Sequence, residues 1–286
     1  MKRILITGKN SYIGTKVEEW LSREPEKYQI ETLDMQLPEW RKREFSQYDV
    51  VFHVAGIAHR KNVPDDLYDE VNHKLAVEVA NKAVTDGVKH FVFMSSGAVF
   101  SQSDRNHKSI IVDENSPLEP NTMYGISKMR AEQGLQQLSN RIMLAIIRPP
   151  MVYGPGAKGN YNPLAKLAKK IPFFPRIDNA RSMIYIDNLC EFIRLVIDSD
   201  AQGVFLPQNA EYVNTSNLVA EIARVNHHKV WMNRGLNWAV LILGKRKNVV
   251  NKVFGSYCYA KTDYFDNKYQ LVGFRDSIEA TEGVEK

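Results

Sequence analysis

Along the first half of the chain, short continuous apolar runs alternate with longer amphipathic stretches. The runs are Ile4-Leu5-Ile6, Gln29 to Leu33, Asp49 to Gly56, His90 to Met94 and Ile142 to Ile147. Unbroken apolarity over so few residues suits parallel strands covered on both faces. Between them, Ser11 to Arg23, Pro64 to about Asp86 and Met123 to about Leu138 predict helices. The second of these sets Val71, Leu75, Val79 and Val84 at helical spacing. Pro25 ends the first helix and Gly87 the second. Strand and helix in strict alternation predict an α/β fold with a doubly wound parallel sheet. The polar stretch from Gly97 to Asn121 is a long loop, and long loops inside such domains tend to serve function.

After Pro150 the regularity fails. Gly154, Pro155, Gly156, Gly159 and Pro163 crowd one segment, and a short basic helix follows near Leu164 to Lys170. Ser182 to Ile186 is strand-like, Asp187 to Ile197 helical, and Val204 to Leu206 a last strand. Further helices are expected at Leu218 to Val225, Leu236 to Leu243 and Ser277 to Glu282. The predicted division is one domain over residues 1–150, with residues 183–206 returning to it, and a smaller cap over 151–286. The cap would lie over the C-terminal ends of the strands, where ligands bind in open α/β sheets.

The first strand runs into Thr7-Gly8-Lys9-Asn10-Ser11-Tyr12-Ile13-Gly14. A sharp turn at Gly8 and close helix packing at Gly14 aim backbone N–H groups and a helix N-terminus at one point, which suits a pyrophosphate. The middle glycine of the dinucleotide fingerprint is replaced by Ser11. Asp34 ends the next strand about 20 residues on, where an acid would accept from a ribose 2′-OH. Together these features predict a Rossmann-type nucleotide site, with NAD preferred to NADP.

Tyr124-Gly-Ile-Ser-Lys128 is the second cluster. Four residues apart on a helix, Tyr124 and Lys128 share a face. A neighbouring ammonium lowers a phenol's pKa, so the tyrosine can take a proton from a hydroxyl as hydride leaves the adjacent carbon. Ser96, at the end of its strand, can bond the same oxygen.

Composition changes little. The 286 residues carry 38 Lys and Arg against 33 Asp and Glu, a formal charge of +5. That modest excess suits an anionic phosphate substrate, and nucleic acid is not expected as a partner. Cys190 and Cys258 are far apart, and neither they nor His59, His73, His107, His227 and His228 have metal spacing, so no metal is expected. The N-terminus enters a core strand at once, and a cytoplasmic location is expected. Trp238 to Leu243, followed by Lys245-Arg246-Lys247, is too short to span a bilayer, though peripheral contact is open to it.

These motifs, with His53-Val-Ala-Gly56, Asn72, Ser95-Ser96-Gly-Ala-Val-Phe100, Arg148-Pro-Pro-Met-Val-Tyr-Gly-Pro-Gly156 and Arg181-Ser-Met-Ile-Tyr-Ile-Asp187, closely resemble the extended short-chain dehydrogenase/reductases. Within them the likeness is to the NAD-dependent nucleotide-sugar epimerase/dehydratase group, in its bacterial surface-polysaccharide members. The resemblance implies Ser96, Tyr124 and Lys128 as catalytic residues. It implies NAD contacts from Gly8, Asn10, Ser11, Tyr12, Ile13, Gly14, Asp34, Val54, Ala55, Gly56, Ser95, Tyr124, Lys128 and Pro149. It places Ser96, Gly97, Lys158, Asn160 and Arg181 at the substrate, Arg181 on its diphosphate. A homodimer is expected. Two departures stand out: Trp40 to Ser46 has no match to the family's adenine-contacting turn, and Tyr257 to Tyr264 does not align at the residue that gates N-acetyl sugars.

The activity implied is C4 epimerisation of a UDP-hexose or UDP-N-acetylhexosamine through a 4-keto sugar. Alternatives are a UDP-4-keto-sugar reductase, a 4-epimerase of an undecaprenyl-diphosphate-linked sugar, and a non-catalytic NAD-binding sensor. A 4,6-dehydratase is excluded, because Gly97 and Ala98 stand where such relatives carry an acid pair.

Overall fold

The computed structural model describes residues 1–58, 63–100, 110–237 and 254–283. In chain order the elements begin with β1 (Lys2–Thr7), α1 (Tyr12–Leu21), β2 (Tyr28–Leu33), β3 (Val50–His53), α2 (Asp65–Tyr68), α3 (Leu75–Thr85) and β4 (His90–Met94). They continue with β5 (Ile110–Val112), α4 (Met123–Gln136), β6 (Met143–Ile147), β7 (Met151–Tyr153), α5 (Tyr161–Ala168) and β8 (Phe173–Pro175). Last come β9 (Met183–Tyr185), α6 (Ile186–Asp198), β10 (Gly203–Phe205), α7 (Thr215–Val225), β11 (Trp231–Asn233), β12 (Tyr257–Tyr259) and α8 (Phe274–Glu282). The described residues fall into two compact units. The first comprises Met1–Phe100, Pro117–Pro149 and Leu189–Pro207; the second comprises Ser101–Ser116, Pro150–Asn188 and Gln208–Lys286.

The first unit is built on a six-stranded sheet in the order β10-β6-β4-β3-β1-β2, every pair parallel. Alternate strand residues serve opposite faces. Leu5, Val51, Phe91, Phe93, Leu144 and Ile146 join one cluster with Ala76, Val79, Ala80 and Ala83 of α3 and Ala131 and Leu135 of α4. Their neighbours Ile4, Ile6, Phe52, Val92, Ala145 and Ile147 are equally buried. That second face is the side of α1 and α6, which are joined by Trp20 Nε1 donating to Glu191 at 3.0 Å. Burial on both faces is why the strands read as unbroken apolar runs.

The pattern predicted one helix from Pro64 to Asp86. Instead α2 passes into α3 through a π turn at Asp69–Lys74. The widened turn carries Asn72 inward, fully buried. Its Nδ2 donates to the Ile57 carbonyl and to Ser127 Oγ, each at 3.1 Å, and its Oδ1 accepts from Ile57 N at 2.7 Å. The chain after β3 is thereby tied to α4. The segment without a family match, Trp40 to Ser46, is no strand either: Pro38–Lys42 is a 3₁₀ turn whose Trp40 is buried in the core.

The second unit is assembled from three parallel strand pairs, β7 with β9, β8 with β11 and β5 with β12. Its helices are α5, α7 and α8. The expected loop from Gly97 to Asn121 thus contributes a strand, β5, which the second unit claims through Tyr257–Tyr259. Helix α5 starts at Tyr161, earlier than expected, because Pro163 is tolerated in a first turn whose N–H groups have no intrahelical acceptor. The buried Tyr153 hydroxyl anchors this unit, meeting Ser277 Oγ at 2.6 Å and accepting from Asn209 Nδ2 at 2.9 Å. The expected helix at Leu236 to Leu243, the basic run after it, and His59 and His107 lie outside the described residues except for Leu236, the last residue of a 3₁₀ turn, and Asn237.

Candidate active site

The chain leaves β1 on one side for β2 and returns on the other for β3, so a crevice opens at the ends of β1 and β3. Gly8 turns there with φ +98°, and a Cβ on it would sit 2.8 Å from the Ala55 backbone. Only glycine permits both the conformation and the approach. Asn10 also has positive φ, +64°. Ser11 is extended and caps α1, its Oγ accepting from Gly14 N at 3.2 Å. That explains a serine at the motif's middle position: the backbone needs no positive φ, and the hydroxyl satisfies an N–H of the first turn. A Cβ on Gly14 would lie 3.0 Å from Val54 Cγ1, so Val54 and Ala55 form the opposite wall. Tyr12 and Ile13 open α1. Gly8 N and Lys9 N both bond the Leu33 carbonyl, at 3.0 and 3.3 Å, which brings Asp34 beside the turn. The Asp34 carboxylate accepts from Gln36 N at 2.9 Å.

Ser96 follows β4, and its Oγ accepts from Ala98 N at 3.2 Å. Tyr124 lies in the first turn of α4, which Thr122 caps by accepting from Gly125 N at 3.1 Å. Gly125 allows this helix end to press onto the turn after Ser96, since a Cβ there would meet the Ala98 carbonyl at 2.2 Å. Ser96 and the Tyr124 phenol are thereby neighbours. Enclosure pushes the phenol pKa above its ordinary value, and the Ser96 hydroxyl opposes that rise. Lys128 is buried, its Nζ donating to the Met94 carbonyl at 2.8 Å and lying over the Phe93 ring. Burial pulls its pKa down to about 8, with Glu132 opposing. Helical spacing predicts that the Lys128 charge lowers the tyrosine. Here burial of the phenol dominates instead, and the ammonium is engaged by Met94. Gly56 leaves room for this packing: a Cβ would come within 2.9 Å of Asn72 Oδ1 and 3.4 Å of Lys128 Nζ.

Two of the expected contact residues have protein partners. Ser95 is buried, and its hydroxyl donates to Glu132. Gly97 N is taken by the Pro149 carbonyl at 2.9 Å, which fixes both residues. Sequence reasoning missed Glu132 and its partner Arg148. The signal was present, since Tyr124, Lys128 and Glu132 recur every four residues and so line one face of α4.

The remaining predicted residues belong to the second unit. Lys158 and Asn160 are exposed just before α5. Arg181 is held on both sides by backbone, exchanging bonds with Val213 at 3.0 and 2.8 Å. Its Nη1 donates to the Gly255 carbonyl at 2.8 Å, and it has no carboxylate partner among the described residues. Burial lowers its pKa.

Oxidising a carbinol needs a base on the hydroxyl and a dinucleotide beside the carbon, and the first unit is organised for both in the manner of an extended short-chain dehydrogenase/reductase. Within that class the chain belongs to the NAD dependent epimerase/dehydratase family, whose model matches residues 4–206. The UDP-glucose 4-epimerase of Vibrio cholerae is 29% identical over 290 residues, covering 89% of this chain and 86% of that one. The N-acetyl-alpha-D-glucosaminyl-diphospho-ditrans,octacis-undecaprenol 4-epimerase of Escherichia coli O157:H7 is 28% identical over 318 residues, covering 99% and 93%. The crystal structure of UDP-glucuronic acid 4-epimerase from Bacillus cereus in complex with NAD superposes with a TM-score of 0.74 at 17% identity, covering 98% and 97%.

The protein is an NAD-dependent enzyme. Its residues fit that cofactor: the tight turn at Gly8 leads straight into the N-terminus of α1, whose dipole suits a pyrophosphate, and Asp34 stands beside the turn for a ribose hydroxyl.

Proposed function

We propose that this enzyme inverts C4 of a UDP-hexose or UDP-N-acetylhexosamine through a transient 4-keto sugar. The observation that carries the reading is the placing of Ser96, at the end of β4, beside the Tyr124 phenol, on the helix that also holds Lys128. NAD, when bound, supplies reversible acceptance of a hydride. Ser96 holds the sugar oxygen and Tyr124, acting as the phenolate, takes its proton to become the phenol. Once the ketone has turned over, the same phenol returns the proton, so the reaction is redox-neutral overall. Lys128, next to Gly56 and one helical turn on from Tyr124, keeps a positive charge below about pH 8. Arg181, an enclosed guanidinium without a carboxylate, suits the substrate diphosphate, with Lys158 and Asn160 at the sugar. Gly97 and Ala98 offer no proton donor or acceptor in their side chains, so water elimination is not supported. In this reading the enzyme works in the cytoplasm, in polysaccharide synthesis, as a homodimer.

A second carrier, an undecaprenyl diphosphate, is favoured by the length of the match to the E. coli enzyme, 99% of this chain. The test is to incubate purified protein, without added cofactor, with a panel of UDP-sugars and with N-acetylglucosaminyl-diphospho-undecaprenol. Appearance of the C4 epimer is expected from a UDP-sugar. Epimer from the lipid substrate alone moves the carrier. No epimer from either, with stoichiometric NADH consumption on a UDP-4-keto sugar, overturns the reading in favour of a reductase.

A further inference from the structure

In the second unit, β8 and β11 pair in parallel with Phe173 opposite Trp231. Paired residues on adjacent strands point to the same face, so the two rings stand side by side. Both are exposed, at 55% and 57%, the two most exposed aromatic side chains among the described residues. Leu167, on the last turn of α5 just before β8, is exposed as well. An apolar trio of this kind is unusual at the surface of a free monomer.

The surrounding charge is mainly positive. Residues 161–177 and 226–237 contain six Lys and Arg and no Asp or Glu, and Asp178 is the exposed acid that follows. One of the six, Lys169, pairs with Glu282 at 2.6 Å. Lys166, Lys170, Arg176, Lys229 and Arg234 are exposed and have no carboxylate partner among the described residues. Lys166 and Lys170 flank Leu167. Lys229 lies over the Trp231 ring, 4.4 Å from its centre. Arg176 and Arg234 follow the two strands directly. Asn237 Nδ2 donates to the Arg176 carbonyl at 2.8 Å, and Arg176 N donates to the Asn233 carbonyl, which keeps these two ends together.

The geometry points to a membrane-docking surface: the β8–β11 ribbon and the end of α5 rest on an anionic lipid bilayer, Phe173, Trp231 and Leu167 at the acyl boundary and the five cations among the headgroups. Rings and aliphatic side chains seat at that depth while lysine and arginine stems reach out to phosphate. Of the ribbon's other side chains, Phe174, Pro175 and Met232 are apolar, and the Asn233 amide oxygen is taken by Gly235 N at 2.7 Å. The docking does not depend on which sugar the enzyme turns over.

The test uses the full-length protein and sedimentation with vesicles of phosphatidylcholine alone or mixed with phosphatidylglycerol. Binding is expected to the mixed vesicles only, and to weaken as salt screens the charges. Lys166→Glu with Lys170→Glu should lower the affinity about tenfold or more, since each cation near such a surface is worth about fivefold. Phe173→Ser with Trp231→Ser should lower it without changing its salt dependence. A blue shift of tryptophan fluorescence on binding should disappear in Trp231→Phe. NAD binding by each variant checks that the fold is intact. Equal binding to neutral vesicles, no binding to either, or unchanged affinity in both double variants overturns the proposal. So does binding to a single-stranded RNA oligomer without binding to vesicles.

Discussion

Glu132 and Arg148 meet in a buried two-pronged ion pair, Arg148 Nη2 to Oε2 at 2.7 Å and Nε to Oε1 at 3.1 Å, with both side chains at most 6% exposed. Glu132 also accepts from Ser95, so one carboxylate joins the ends of β4 and β6 to α4. Glu132→Ala would leave a guanidinium buried without its partner. The expected loss is about 3–5 kcal/mol in urea unfolding. A loss below about 1 kcal/mol would mean the site relaxes around the vacancy.

Tyr124→Phe keeps the ring and its edge contact with Tyr68 at 6.4 Å, and removes the oxygen beside Ser96. Turnover should fall by about 10²–10⁴, the usual contribution of a positioned acid–base group. NAD binding, followed by calorimetry, should hardly move.

Gly8→Ala places a methyl 2.8 Å from the Ala55 backbone at φ +98°. Strain and overlap together should cost about 2–5 kcal/mol and abolish NAD binding. Gly87→Ala is the control. Its φ is +80°, but nothing lies within 4 Å of a new Cβ, so only about 1 kcal/mol is expected. Thermal unfolding of the two variants side by side separates overlap from backbone strain.

Asp34 stands where a ribose hydroxyl would be bonded and a 2′-phosphate repelled. Asp34→Ala should weaken NAD by about tenfold or more, the worth of one hydrogen bond to a charged group, and narrow the gap to NADP. Parallel titrations of the two nucleotides measure it. Tighter NADP than NAD binding by the wild type would refute the assignment.

Acid should destabilise the protein through two histidines. Burial pushes His53 from 6.5 down to about 3, and His90 down to about 4. The unfolded chain takes up these protons near pH 6.5 while the folded chain does not. Stability is therefore complete above that pH and falls below it, by about 1.4 kcal/mol per pH unit for each histidine, until the folded values are reached. Denaturant midpoints between pH 7 and pH 4.5 should show the slope, and His90→Gln should remove close to half of it.

The parallel sheet was legible because its strands are buried on both faces, which writes them as apolar runs. The cofactor turn was legible because Gly8 and Gly14 are demanded by geometry that no other residue meets. What escaped has a common cause. The π turn at Asp69–Lys74 leaves no mark on a helical pattern, since its reason is Asn72 bonding Ile57 and Ser127, partners 15 and 55 residues away. Strand β5 is three residues long and takes its partner from residues 257–259, so no local pattern announces it. The direction of the Tyr124 shift also depends on enclosure by neighbours. Charge spacing along α4 carries no information about that.

Strand β10 pairs with β6, and Lys2, Trp20 and Tyr28 bond to Ile197, Glu191 and Asp198. The last pieces of the first unit are therefore translated only after residues 150–188 of the second. While the ribosome makes that insert, Met143–Ile147, paired with His90–Met94 on one side, is an apolar margin still bare on the other, open to capture by another nascent chain. Expression yield, more than the melting temperature of the finished enzyme, should thus respond to how quickly residues 189–207 emerge.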